Sequence, residues 1–483
     1  MSSFAERNLS MFMDLYELTM ANGYFTNGHE QDMVAFDVFY RKNPENGGFA
    51  IFAGLEQVLA YIESLHFGAD DIAYLDSLGI FPQAFLDYLK DFSFRGDIYA
   101  FPEGSVIYPN EPIMTVVAPL VDAQIIETFV LAQINHQSLI ATKAARIVHA
   151  AKGRLVSDFG ARRAHNIDAA VLGARAAYIG GVTTTATVLA GQSFGIPVSG
   201  TMAHSWVMYH DSEFEAFKAY AELYPDDVIL LVDTYDVVHS GVPNAIRVAK
   251  EVLEPMGKRL KGIRLDSGDL AYLAKRARQL LDDAGLTDAI IVASNSLDEY
   301  TITSILDQEG PLDGFGVGER LITAKSDPVF GAVYKIAAVQ KNGLWEPRIK
   351  ISESVEKITN PGLKKVYRIY GPDGHAVAEL ITGRDEVVDM SQPYAYVDPE
   401  KPWKALSFEN CQAKEMLELV LSNGKRVQEP KSLEAIRAYV KEQLATEIWP
   451  EEQRFVNPHK HYLDMSPQYY AEKMELLHRI GRK

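Results

Sequence analysis

The sequence predicts an α/β protein: a closed or nearly closed parallel barrel set between terminal segments of antiparallel character. Three observations predict it. Between about residues 153 and 335, six apolar runs end in small, polar or charged residues. Leu155-Val156 leads into Ser157-Asp158-Phe159-Gly160, and Ile196 and Val198 into Ser199-Gly200-Thr201. Residues 228–232 lead into Asp233-Thr234-Tyr235-Asp236, and Ile263 passes through Arg264-Leu265 into Asp266-Ser267-Gly268-Asp269. Ile290-Ile291-Val292 reaches Ala293-Ser294-Asn295, and Phe315 sits within 313–318. Second, helical stretches separate most of these runs, the pattern of parallel strands with a site at their C-terminal ends. Third, residues 94–119 are strand-like but broken by Pro102, Pro109, Pro112 and Pro119, which suits an antiparallel sheet with edges.

In chain order, Met11, Phe12, Leu15, Tyr16 and Met20 mark a helix across residues 8–25, closed by Asn22-Gly23. Residues 33–40 read as a strand, followed by a Gly47-Gly48 turn. Helices are expected over 54–64, 70–77, 82–90 and 122–150. Within the barrel they fall at 167–178, 213–223, 242–253 and 269–283. The last is the clearest: Leu270, Leu273, Ala274, Ala277, Leu280 and Leu281 share a stripe, with Asp269 at its start and Gly285 at its end. Beyond 335, strands are expected within 346–370 around Asn360-Pro361-Gly362, a turn at 371–374, mixed structure over 394–421 and a helix at 433–444. A polar, aromatic tail follows from Arg454. The expected domains are 1–135 with 336–483, built from both chain ends, and the barrel at 136–335.

At 483 residues the chain is too long for one ordinary core. Apolar and charged fractions of 47% and 23% are those of a soluble globular enzyme. A net charge of −18 gives a field that repels nucleic acid and anionic membranes, so neither is an expected partner. Cys411 is the single cysteine, which fits a reducing cytoplasm. The N-terminus does not read as a signal peptide, and no apolar run reaches the ~18 residues of a membrane helix.

The strand ends gather carboxylates (Asp158, Asp233, Asp236, Asp266, Asp269), cations (Arg162, Arg163, Arg264, Arg320) and the polar groups of Ser294 and Asn295. Gly314-Phe315-Gly316-Val317-Gly318 reads as a loop offering backbone amides to a phosphate. Guanidinium forks suit diphosphate oxygens. Carboxylates suit ribose hydroxyls and a Mg²⁺ shared with phosphates. Together they describe a pocket for a phosphorylated sugar. Each alone has a plainer reading: Asp269 as a helix cap, His204 as a structural histidine, the arginine pair as a solvated face.

Residues 157–165, Gly200-Thr201-Met202-Ala203-His204-Ser205, residues 263–269 and 314–318 resemble nicotinate phosphoribosyltransferase. So do residues 14–20 and 356–366, in the expected order from about residue 9 to about 430. The resemblance implies an irregular α/β barrel plus a second α+β domain from both chain ends, in a homodimer with shared sites. It implies transfer of phosphoribosyl from phosphoribosyl pyrophosphate to nicotinate, coupled to ATP hydrolysis through a phosphohistidine. His204 matches that histidine. Phe159 matches an aromatic stacking on the pyridine ring, and Tyr16 from the other subunit would close its second face. Arg264 and Asp266 match residues at the ring and the ribose. Arg162 matches a diphosphate contact. Ser294, Asn295, Gly316 and Gly318 would hold the ribose phosphate, and Lys350 and Lys357 would reach phosphates at the subunit interface. Thr184, Ala186 and Ser205 are expected to line the substrate pocket, and Mg²⁺ to accompany the phosphates.

The sequence departs from the family at Thr183-Thr184-Thr185-Ala186-Thr187, where Gly-Thr-Ser-Asn is usual and a nicotinamide-using relative has an aspartate near 186. An aspartate there would repel a nicotinate carboxylate, so the neutral stretch favours nicotinate. The alternatives are a nicotinamide or quinolinate phosphoribosyltransferase, or a phosphosugar-processing barrel enzyme.

Overall fold

The computed structural model describes residues 7–354 and 357–481. The chain divides into two compact units, Met1–Thr142 with Val329–Lys483, and Lys143–Pro328. The first division falls within the long helix Glu127–Ala150.

The unit from both chain ends is organised on a seven-stranded sheet. Its order is Leu344–Pro347, Val333–Lys341, Met33–Phe39, Met114–Pro119, Asp97–Ala100, Glu418–Ser422, Lys425–Arg426. Met33–Phe39 pairs antiparallel with strands on both sides, and Val34, Ala35 and Val38 are completely buried. Covered on both faces, it needs no polar alternation. Its buried Asp37 accepts a hydrogen bond from Thr115 Oγ1 at 2.7 Å and forms an ion pair with the buried Lys364. That pairing makes a buried carboxylate tolerable. A four-stranded sheet, ordered Gln412–Glu415, Lys364–Tyr370, Ala376–Gly383, Leu463–Met465, lies in the same unit. The tail, expected only to be polar and aromatic, supplies Leu463–Met465 and the helix Pro467–Gly481.

The other unit carries a six-stranded parallel sheet: β1 (Leu155–Asp158), β2 (Thr184–Thr185), β3 (Ile229–Leu231), β4 (Gly262–Leu265), β5 (Ile290–Ser294) and β6 (Gly314–Val317). The order is β2-β1-β6-β5-β4-β3, every pair parallel. Five of the six expected strands are present. The sixth, around Ile196 and Val198, is not one. Gly195 is left-handed at φ +70° and Pro197 has no N–H to give a ladder, so Val198 makes one parallel bridge to Thr185. Thr184–Thr185 takes the strand position instead, and Val198 is 57% exposed where burial was expected.

The helix Leu270–Asp283 forms where expected. Asp269 accepts the N–H of Tyr272 at 3.0 Å, and Leu270, Ala271, Ala274, Ala277 and Leu281 are buried. Residues 237–253 form a helix containing two π-turns, Val237–Gly241 and Ala249–Leu253. It presses on the end of β3, where a Cβ at Gly241 would lie 1.8 Å from Val232 O, so only glycine fits. The N-terminal helix runs through Gly23 to Thr26, past its expected end, because Asn27 rather than Asn22 caps it. No helix among the described residues is long and apolar enough to cross a membrane.

Candidate active site

The C-terminal ends of the parallel strands bring their polar side chains onto one face. The five carboxylates divide by use. Asp158, at the end of β1, is buried, and burial raises its pKa. Its oxygens accept from Thr185 Oγ1 and Gly160 N, both at 2.8 Å, so it ties β1 to β2 and does not face a ligand. Asp236 caps a helix by accepting from Val238 N and His239 N at 2.9 and 2.7 Å. Asp269 caps Leu270–Asp283. These three are structural, because strand ends are also helix starts and orphaned N–H groups there claim the nearest carboxylate.

Asp233 and Asp266 remain. Asp233 Oδ2 accepts from Asp266 N at 3.0 Å and Ser267 Oγ at 2.6 Å, fixing the loop after β4, while Oδ1 is buried with no hydrogen-bond partner. Asp266 accepts a hydrogen bond from the buried Ser294 at the end of β5. His204 opens the short helix His204–Tyr209. Its Nδ1 lies 3.1 Å from Thr234 Oγ1, and its Nε2 faces Asp266 Oδ2 at 3.6 Å. The imidazole is thus oriented from both sides and remains 40% exposed, open to a reactant.

Arg264 projects from β4 and donates to Thr201 Oγ1, while its guanidinium carbon lies 6.0 Å from the centre of the Phe159 ring. Burial lowers its pKa, Asp266 and Asp233 oppose that, and Arg162 adds to it. Arg264 Nε is buried with no hydrogen-bond partner. Beside this pair is a hydroxyl cluster: Thr184 Oγ1 donates to Ser157 Oγ at 2.7 Å and lies 2.5 Å from Ser199 Oγ. Ala186 is exposed, and its N–H donates to Asp158 O at 2.8 Å.

The glycine run differs from its expected form. Gly314–Val317 is a buried strand paired on both sides, not a loop of free amides. Gly316 has a steric role: a Cβ there would lie 2.4 Å from Phe159 Cδ2 and Cε2. The missing side chain lets the ring approach β6 closely. Gly318, at the strand end, starts the turn Glu319–Ile322. After β5, Asn295 and Ser296 are both left-handed, at φ +84° and +51°, an unfavourable conformation for non-glycine residues that often marks functional turns. Asn295, Arg162 and Ser205 are all exposed.

Tyr16, Lys350 and Lys357 belong to the unit from both chain ends. Tyr16 is 43% exposed, and both lysine side chains are exposed. Glu356, in the quoted 356–366 stretch, lies outside the described residues. A cavity of about 780 Å³ exists in that same unit and contains none of the site residues named above. The converging chemistry of the strand ends locates the site better than cavity size does.

The sequence reading assigned no role to Thr234, Thr201, Ser157 or Ser199. For Ser157 and Thr234 the signal was available, since each stands at a strand end next to a singled-out aspartate, whereas Ser199 and Thr201 follow the stretch at 195–198 that is not a strand. It also missed the buried Lys143–Glu299–Arg146 cluster, with Glu299 carboxylate distances of 2.9 and 2.8 Å to the two cations. Lys143 and Arg146 lie one turn apart on the helix Glu127–Ala150, but Glu299 is far away in sequence and no motif links it to them.

Three family models match the chain. The nicotinate phosphoribosyltransferase N-terminal domain covers residues 11–135, the family model 155–369 and the C-terminal domain 363–473. The nicotinate phosphoribosyltransferase of Bacillus subtilis (strain 168) is 44% identical over 99% of this chain and 97% of its own. That of Homo sapiens is 30% identical over 95% of each. The crystal structure of human nicotinic acid phosphoribosyltransferase superposes with a TM-score of 0.85 at 28% identity, over 96% of this chain and 99% of that one. A nicotinate-nucleotide pyrophosphorylase from Pyrococcus furiosus gives a TM-score of 0.70 at 25% identity, over 92% and 97%.

Proposed function

This chain belongs to the nicotinate phosphoribosyltransferase family, and we infer that it joins nicotinate to phosphoribosyl pyrophosphate in NAD biosynthesis. The products are nicotinate mononucleotide and pyrophosphate, with ATP as cosubstrate hydrolysed to ADP and phosphate. The observation that carries the residue-level reading is the placement of His204 between Thr234 and Asp266, next to Arg264 and Phe159 on one strand-end face.

The pyridine nitrogen attacks the anomeric carbon as the bond to pyrophosphate breaks. Positive charge builds on the sugar ring and negative charge on the departing group. No enzymic nucleophile is required, so positioning and electrostatics carry the step. Phe159 offers its face to the pyridine ring. Arg264, with a buried and unpartnered Nε, pairs with the nicotinate carboxylate. The Thr184, Ser157 and Ser199 hydroxyls offer neutral hydrogen bonds, and no carboxylate stands at 186 to repel the substrate. Asp266, held by Ser294, takes ribose hydroxyls. Arg162, Asn295 and Gly318 lie on strand-end turns, free to hold phosphate oxygens, and Ser205 follows His204 on the same helix.

His204 accepts phosphoryl from ATP in our reading. Phosphorylation adds about two negative charges beside Asp266. That shifts the balance of substrate and product binding, and hydrolysis of the phosphohistidine draws the transfer forward. Among the described residues no group of three or more His, Cys, Asp or Glu is arranged to hold a metal by itself. The orphaned Asp233 Oδ1 and Asp266 are the residues that would hold a Mg²⁺, which would supply charge neutralisation on the departing pyrophosphate.

We read the parallel sheet as an irregular barrel. Side chains from 201–204 reach Arg264 and Thr234, supporting closure between the single bridge at Val198 and the β3–β4 edge. We read the terminal segments as a second domain, and the molecule as a cytoplasmic homodimer whose sites are shared. Support for the dimer is the apolar face of the N-terminal helix region, where Phe12, Leu15, Tyr16 and Met20 are 48, 54, 43 and 39% exposed. In such a dimer Tyr16 closes the partner's ring pocket, and Lys350 and Lys357 reach its phosphates.

The test is His204→Ala, assayed for mononucleotide formation and for ATP hydrolysis. The expected outcome is loss of ATP hydrolysis and of its benefit, with slow ATP-independent transfer retained. Full ATP-stimulated turnover in a folded variant would overturn the phosphohistidine role.

A further inference from the structure

The cavity in the unit from both chain ends has chemistry of its own. Its walls come from the loop after Met33–Phe39, the turns at 108–110 and 398–400, the strand Leu463–Met465 and the helix Pro467–Gly481. At about 780 Å³ it is the size of a small-ligand pocket. Two carboxylates line it, and both are engaged. Glu400 pairs with Lys460 at 2.5 Å, while Asp398 accepts Glu400 N at 2.8 Å and lies 3.5 Å from Lys401 Nζ.

The remaining cations are not neutralised. Lys473 Nζ donates to Asn360 Oδ1, a neutral acceptor, at 2.7 Å. Burial and the nearby Lys364 hold its pKa down to about 8, so it remains largely charged at neutral pH. Among the described residues no carboxylate pairs with Lys42 or Arg41, and Arg41 Nε is buried without a hydrogen-bond partner. His461 is nearly enclosed at 8% exposure. Glu452 lies 3.2 Å from its Nδ1 and Glu379 3.8 Å from its Nε2, so this ring is already matched by carboxylates and adds nothing to the cationic surplus, which rests on Lys473, Lys42 and Arg41. Unneutralised cations in a half-enclosed space, within a chain of net charge −18, call for an anion. Tyr462 and Tyr470 add aromatic wall beside these groups.

We propose that this cavity is a second ligand site, which takes a mononucleotide: a phosphate monoester held at Lys473 and Lys42, with its planar ring against the tyrosines. Its lining shares no residue with the strand-end face and includes none of the groups assigned to the transfer reaction.

The probe is adenosine monophosphate, titrated by calorimetry into the full-length enzyme carrying Arg264→Ala, which cripples the strand-end site. Saturable binding of one equivalent per chain is expected. Adding Lys473→Met should weaken it about tenfold or more, as loss of a charge-assisted hydrogen bond does. Lys42→Gln, at an exposed side chain, should weaken it several-fold and guards against a folding defect in the first variant. In otherwise wild-type enzyme, Lys473→Met should leave the KM values for nicotinate and phosphoribosyl pyrophosphate unchanged. Absence of saturable binding, or unchanged affinity in both lysine variants, would overturn the proposal. A raised KM for phosphoribosyl pyrophosphate in Lys473→Met would also overturn it, by placing the cavity in the catalytic machinery. Inorganic phosphate binding as tightly as the nucleotide would overturn the ring half of it.

Discussion

Single residues decide how the Phe159 ring, proposed to stack on the substrate, is held. At Gly316 the Phe159 ring fills the place of a side chain, so Gly316→Ala must push the ring off β6. The expected outcome is a KM for nicotinate raised about tenfold or more, the effect of ~1.4 kcal/mol of lost ring contact. The KM for phosphoribosyl pyrophosphate should change much less, and equal rises in both would show that the ring position is not the element at fault. Ala186 gives the electrostatic counterpart. Its exposure makes Ala186→Asp compatible with the fold, and the melting temperature should stay near wild type. Two charges ~4 Å apart at an effective dielectric near 20 repel by roughly 4 kcal/mol, an upper figure before relaxation. A fraction of that should lower kcat/KM for nicotinate many-fold while sparing nicotinamide. An unchanged ratio of the two substrates' kcat/KM in the folded variant would remove Ala186 from the pocket. That Asp266, Arg264 and Phe159 come together was legible in the sequence, because each lies at or just beyond the end of an apolar run that forms a parallel strand, whereas His204 reaches them through a stretch that is not a strand. The use of each carboxylate was not: Asp158, Asp236 and Asp269 read the same as Asp233 and Asp266 until their N–H partners are seen.

Elements repeat the lesson with different physics. Leu270–Asp283 was readable because its cap, apolar stripe and terminal glycine all agree. The stretch at 195–198 misled because hydrophobicity alone cannot supply the ladder hydrogen bond that Pro197 lacks. The N-terminal helix Leu15–Thr26 holds a titrating device that no pattern could reveal. Glu17 is fully enclosed, accepts from Asp14 N at 3.3 Å and Thr128 N at 3.2 Å, and burial pushes its pKa up to about 7. A carboxyl whose pKa rises on folding favours the native state while protonated. Its contribution is full below the ordinary carboxylate range and is lost as pH rises through about 7. The melting temperature should therefore fall between pH 5 and pH 8, and Glu17→Gln should flatten part of that fall. Asp464, pushed by burial and by Asp398 to about 7, shares the window and supplies another part. A wild-type melting temperature that holds steady across this range would contradict the assignment.

At the scale of the whole molecule, the shared-site reading predicts complementation. Tyr16→Ala and His204→Ala protomers, each inactive in ATP-stimulated transfer, should regain activity when mixed into heterodimers, since one of the two sites then has both groups intact. Demonstrably mixed dimers without regained activity would make each subunit self-contained.

The strand Met33–Phe39 is paired on one side by Met114–Pro119 and on the other by Val333–Lys341, with all of Lys143–Pro328 translated in between. During synthesis its second edge stays unpaired until the entire parallel sheet has left the ribosome. The nascent chain thus carries an open, apolar β-edge for most of its time of manufacture, a surface that invites chaperones and aggregation alike. The order of translation makes the first strand laid down wait for a second partner that begins only at Val333.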